Sequence, residues 1–130
     1  MVENFFFIDG IDKESELRRI LEEKDKATIE EELKGIGKVS YNFSIKRRIV
    51  MKQGNHNQKV LVLEELEIPE ELEKLYEESI PGYKQTRKEL RIGYYIVDKN
   101  GKWVWGQFAP TLPAEDLKKL MEKAKEKNFI

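Results

Sequence analysis

From position 39 onward, apolar side chains occupy every second residue: Val39, Tyr41, Phe43 and Ile45, then Ile49 and Met51. The positions between them, Ser40, Asn42, Ser44, Lys46, Arg48 and Lys52, are polar, with Val50 the exception. A period of two puts successive side chains on opposite faces of an extended chain, so this stretch commits the molecule to a sheet with one buried and one wet face. Arg47 falls on the apolar side. A β-bulge near Arg47 and Arg48 would rotate it outward.

The segments around this strand read as a mixture of helix and sheet. Phe5–Ile8 is a short aromatic strand closed by Asp9 and Gly10. Asp12 suits the cap of a helix with Leu17, Ile20 and Leu21 at helical spacing. Thr28 followed by Glu31 is a capping-box pattern and predicts a second short helix over 29–34, stopped by Gly35. One bent helix over 12–34 is the alternative. The turn-rich loop 53–58 leads into a strand over 60–63. Pro69 opens a helix with Glu70 and Glu71 at its positive end and Leu72, Leu75 and Tyr76 as its buried stripe.

Runs over 90–97 and 102–108 flank Asn100 and Gly101, the strongest short hairpin signal. A two-residue turn there pairs Val97 with Val104, Ile96 with Trp105 and Tyr94 with Gln107. The last helix follows Pro113, with Leu117, Leu120, Met121 and Ala124 facing inward and Lys123, Lys125 and Lys127 near its negative end. The expected fold class is α+β: an antiparallel sheet of four to five strands, helices packed on one face, order β-α-ββ-α-ββ-α. A ferredoxin-like variant is the preferred topology, in a single domain over 1–130.

Composition narrows the class further. Charged residues make up 38% of the chain against a usual quarter, yet they sit between sharply patterned segments, which favours folding over disorder. The near-balanced Lys and Glu excess without cysteine fits a thermophilic host, and equally an AT-rich mesophile. With no cysteine, disulfides and Cys-based metal or redox sites are excluded. The first residues carry an acid where a secretory leader needs bases, and no apolar run nears the ~20 residues of a membrane span. The expectation is a cytoplasmic protein with no membrane partner.

Charge is sorted along the chain. Lys38, Lys46, Arg47, Arg48, Lys52 and Lys59 fall in an acid-free segment, whereas 64–78 holds eight glutamates against Lys74. A dipolar surface attracts and orients partners, which argues for binding. The leading expectation is therefore a non-enzymatic interaction module acting through protein–protein contact or self-association as a homodimer. Tyr94, Trp103 and Trp105, concentrated with Tyr95 and Phe108 in one hairpin, are its candidate surface. The alternative is a nucleic-acid-binding accessory protein. In it, Lys46, Arg48 and Lys52 form a basic row on one strand, extended by Arg91, that contacts phosphates or another anion.

A third reading is a small carboxylate enzyme. Asp9 and Asp98, at the ends of apolar strands, come nearest to isolated acids, though turns select Asp for backbone reasons alone. Glu64, Glu65 and Glu67 lead into an acidic helix start and read as a solvated face. His56, the sole histidine, sits in a polar loop without the partners of a triad or a zinc site. Gly35 and Gly37 precede a strand, the wrong order for a dinucleotide loop. No catalytic residue, metal or cofactor is expected.

Overall fold

The structure is a computed structural model, and it describes residues 4–11, 14–84, 88–106 and 109–130. In chain order its elements are β1 (Phe5–Ile8), α1 (Glu14–Glu23), β2 (Lys26–Leu33), β3 (Gly37–Lys52), β4 (Lys59–Glu67), α2 (Glu70–Ser79), β5 (Glu89–Val97), β6 (Trp103–Trp105) and α3 (Ala114–Glu126). The α+β class holds, with the order β-α-βββ-α-ββ-α. Among the described residues six strands form one mixed sheet, ordered β1-β3-β4-β5-β6 with β2 also paired to β3.

The long strand organises this sheet by serving two neighbours on one edge. Its first half pairs antiparallel with β2, from Leu33 opposite Gly37 to Lys26 opposite Ser44. Its second half pairs parallel with β1, from Phe5 opposite Arg48 to Ile8 opposite Met51. That parallel pair breaks the expected all-antiparallel character. The strand order also departs from a ferredoxin-like sheet, because the α1 crossover returns the chain to the edge it left.

The helix expected over 29–34 is instead β2. Thr28 does not cap; its Oγ1 donates to Asn42 Oδ1 across the strand pair at 2.8 Å. Ala27, Ile29 and Leu33 meet Phe43, Val39 and Tyr41 in one apolar cluster. Tertiary pairing overrides the local capping signal, helped by β-branched Thr28 and Ile29. Gly35 and Gly37, at φ 85° and 99°, supply the left-handed backbone of the connecting turn.

A bulge between Ile45 and Arg47 shifts the β3–β4 register. One extra residue, Lys46, reverses which side chains point to which face. Phe43 and Ile45 pack with Leu66, Leu72 and Tyr76 beneath α2. Beyond the bulge, Val50 joins Val62, Tyr95, Leu17 and Leu21 beneath α1 on that same face. Ile49 turns to the other face, against Leu63, Leu120, Ala124 and Phe129 of the α3 segment. So Ile49 and Met51 do not share a face with Val39 through Ile45, and helices cover both sides of the sheet. Leu117 and Met121, expected inside, stand about two-fifths exposed at 41% and 39% on the outer flank of α3.

The terminal hairpin carries a one-residue difference. Tyr95 pairs with Trp105, Ile96 with Val104 and Val97 with Trp103. Asn100 is not in the positive-φ region that a two-residue type I′ turn requires; Gly101 is, at φ 76°. The Gly101 N–H donates to Asp98 O, and the Asp98 N–H to Lys102 O, which makes a wider turn with Gly101 at the left-handed bulge position. A slip of one residue exchanges faces. Trp105 thereby sides with Tyr95 and Trp103; the expected partner of Tyr94, Gln107, lies outside the described residues.

Candidate functional site

The register on the α1–α2 face aligns three charged residues on adjacent central strands, Arg48 opposite Glu64 and Glu64 opposite Arg91. Glu64 is 1% exposed and Arg48 4%. Arg48 Nε donates to Glu64 Oε2 at 3.2 Å. From the other side Arg91 Nε donates to Glu64 Oε1 at 2.7 Å, and Arg91 Nη2 lies 2.6 Å from the same oxygen. Arg48 Nη2 also donates to the carbonyl of Lys24, tying the end of α1 to the sheet. Burying a carboxylate and a guanidinium this deeply costs several kcal/mol in desolvation and is tolerated only with such close pairing.

This row lies between the footprints of the two helices. α1 covers Val50, Val62 and Tyr95, and α2 covers Phe43 and Leu66. The gap is an open cleft of about 430 Å³ whose floor is Arg48, Glu64 and Arg91. Lys24, Asp25, Lys26 and Ala27, where α1 turns into β2, make one wall; Tyr95 and Trp105 make the other.

The aromatic wall is tightly set. Arg91 Cζ lies 4.5 Å from the centre of the Trp105 ring. Tyr95 and Trp105 meet edge-on, centroids 5.2 Å apart. Gly93 makes room for the indole: a Cβ there would come 2.0 Å from Trp105 Cη2. Lys24 Nζ stands 5.4 Å above the Tyr95 ring. Burial pushes the Tyr95 hydroxyl above its ordinary pKa, the Glu64 charge adds to this, and Arg48 and Arg91 partly offset it.

The expected row of exposed bases is not formed. Arg48 and Arg91 do come together, but through Glu64, with Arg48 buried. Lys46 is exposed and pairs with Glu67 at 2.6 Å. Lys52 borders a separate hollow of about 180 Å³ beside Asp9, Asp116 and Lys119. On the opposite face Arg47 is tucked under the end of α3 rather than turned to solvent. It lies 2.7 Å from Glu65, donates to the Lys127 carbonyl at 2.7 Å and stacks on Phe129. The basic strand thus lies beside the acidic end of β4 and pairs with it, which removes much of the expected surface dipole.

The hairpin aromatics divide. Trp103 is buried beneath α1. Tyr94 is buried on the other face with Met51 and Leu61, and Lys59 Nζ stands 4.7 Å from its ring centre. Trp105 alone of the three lines the cleft. Asp98 serves its turn: its Oδ1 accepts from the backbone N–H groups of Asn100 and Lys102 at 2.8 and 3.0 Å. His56 Nδ1 accepts from the Gln58 N–H within its exposed loop. Among the described residues no three His, Asp or Glu side chains gather to hold a metal ion. No helix among them is long and apolar enough to cross a membrane.

Local pattern does not single out Glu64 or Tyr95 for the cleft: Glu64 reads with the solvated acids, and Tyr95 with the hairpin aromatics. A signal for Glu64 existed: it continues the alternation of Val60 and Val62 and therefore shares their buried face. Comparison of the chain with protein-family models, curated proteins and solved structures finds no match.

Proposed function

We propose that this protein works by binding rather than by catalysis, and that its ligand is a small molecule held in the cleft between the α1–β2 junction and the Tyr95–Trp105 wall. One observation carries this reading. Two guanidiniums share a single buried carboxylate at the floor of an open, aromatic-walled space of about 430 Å³. A few convergent polar groups beneath apolar walls are the usual make-up of a ligand pocket, and this volume is within the ordinary range. Both Glu64 oxygens already accept hydrogen bonds from guanidiniums, so the acid serves the arginines as counter-ion, a poor starting point for proton transfer.

The test is an NMR titration of the full chain with a fragment set of small anions, cations and neutral aromatics. Shift changes are expected to cluster on the Trp105 indole, Tyr95 and the Arg91 side chain. Changes spread evenly over the surface, or absent for every fragment, would overturn the reading.

A second reading, protein–protein contact through self-association, is supported by a different feature. Leu117 and Met121 on α3, and Ile92 and Val104 on the sheet face that α3 partly covers, are all more than a third exposed. Exposed apolar groups gathered on one side suit an interface. Sedimentation at several concentrations tests it: a concentration-dependent dimer that Met121→Lys abolishes would support it, and a strict monomer would remove it.

A further inference from the structure

We infer that the cleft selects a monoanionic carboxylate carried on a planar apolar body, the carboxylate docking on Arg91 and the body lying against Trp105 and Tyr95. This rests on the cleft being a binding site and adds the chemistry of its occupant.

Charge sets the first condition. At the floor, among the described lining residues, Arg48 and Arg91 share one acid, Glu64, leaving one uncompensated positive charge. At the rim Lys24 and Lys26 are equalled in number by Glu23 and Asp25, so the whole lining carries the same single excess. One negative charge closes that balance. A dianion leaves an unmatched negative charge in a half-buried site, where desolvation is penalised. A neutral ligand leaves the guanidinium uncompensated.

Guanidinium geometry sets the second. Arg91 spends its side edge, Nε and Nη2, on Glu64 Oε1. Its end-on edge, Nη1 with the outer hydrogen of Nη2, meets no acceptor among the described residues and presents two parallel N–H groups. A carboxylate matches that fork with two oxygens. The Arg91 side chain is one-quarter exposed, at 25%, whereas that of Arg48 is sealed at 5%, so of the two guanidiniums Arg91 is the reachable one. Its orientation is fixed from both sides, by Glu64 and by the Trp105 ring, so little order is lost when a ligand docks.

The walls set the third condition. Half-buried Trp105 and Ile45 offer apolar surface beside the fork, backed by buried Tyr95 and Ala27, and suit a flat hydrocarbon rather than a polyhydroxylated body.

Calorimetric titration of the full chain with 2-naphthoate, 2-naphthamide and 2-naphthyl phosphate separates these conditions. The carboxylate is expected to bind about tenfold or more tightly than the amide, since a hydrogen bond to a charged group is at stake. It should also exceed the phosphate ester. Arg91→Gln should reduce naphthoate to the affinity of the amide, and Trp105→Leu should weaken all three ligands together. Should Arg91→Gln misfold, Arg91→Lys keeps the charge without the fork and should still lose several-fold for naphthoate. Amide binding equal to carboxylate, or phosphate binding tighter, overturns the carboxylate assignment while leaving the cleft as a binding site. Failure of all three ligands to bind, or binding unmoved by Arg91→Gln and Trp105→Leu, overturns the cleft reading itself and this inference with it.

Discussion

Glu64, 1% exposed, accepts hydrogen bonds from one guanidinium on each oxygen. Removing its charge strands Arg48 in the interior, and an unpaired buried charge is far more costly than a lost surface pair. Glu64→Gln is expected to lower stability by about 3 kcal/mol, read as a fall in the urea midpoint. Replacing the three together, Arg48→Met, Glu64→Leu and Arg91→Met, removes the desolvation burden with the charges. That variant is expected to be at least as stable as the parent and to bind nothing in the cleft. A triple variant that is much less stable would mean that the charged row serves the fold.

Glu65 behaves differently, on the opposite face. Burial raises its pKa, but hydrogen bonds from Arg47 and Lys88 outweigh that and hold it below the ordinary value of 4.5. Its contribution is therefore complete above about pH 4.5 and is lost as pH falls through the lower folded-state value. Denaturation midpoints measured down to strongly acid pH should decline, and Glu65→Gln should make that decline shallower.

At the level of the element, the bulge in β3 matters more than any side chain in it. Lys46 sits at the register shift and pairs with exposed Glu67. Lys46→Ala should cost no more than about 1 kcal/mol. Deleting Lys46 instead removes the extra residue, and every side chain on one half of β3 then points to the wrong face. That deletion is expected to abolish the cooperative unfolding transition followed by circular dichroism. Gly93 gives a second test, because a Cβ there would sit 2.0 Å from the Trp105 ring. Gly93→Ala should cost about 1–3 kcal/mol through overpacking and alter tryptophan fluorescence as the indole leaves the wall. Most elements were legible from local pattern: β1, β3, α2 and α3 announce themselves by period, and Pro69 and Pro113 stand at the N-caps of α2 and α3. β2 was not legible, because Thr28 and Glu31 form a capping signature that only the pairing with β3 overrules.

For the whole molecule, the pairing of β3 with β4 decides the electrostatics. Lys46, Arg47 and Arg48 meet Glu67, Glu65 and Glu64 across one strand pair, so charges that are segregated in sequence are neutralised in space. This pairing predicts weak polyanion binding: the chain should pass a heparin column at about 0.15 M salt, whereas the basic-ribbon reading expects the retention of a protein that makes several phosphate contacts. Local pattern along the chain dictates the class of the fold and most of its elements, because hydrophobic period and turn chemistry act over a few neighbouring residues. The lack of cysteine likewise rules out thiol chemistry from composition. The sheet order, the two-sided helix packing and the cleft emerge in three dimensions. Those depend on which strands become neighbours and on a single extra residue, and a carboxylate joins two arginines only after three distant segments are laid side by side.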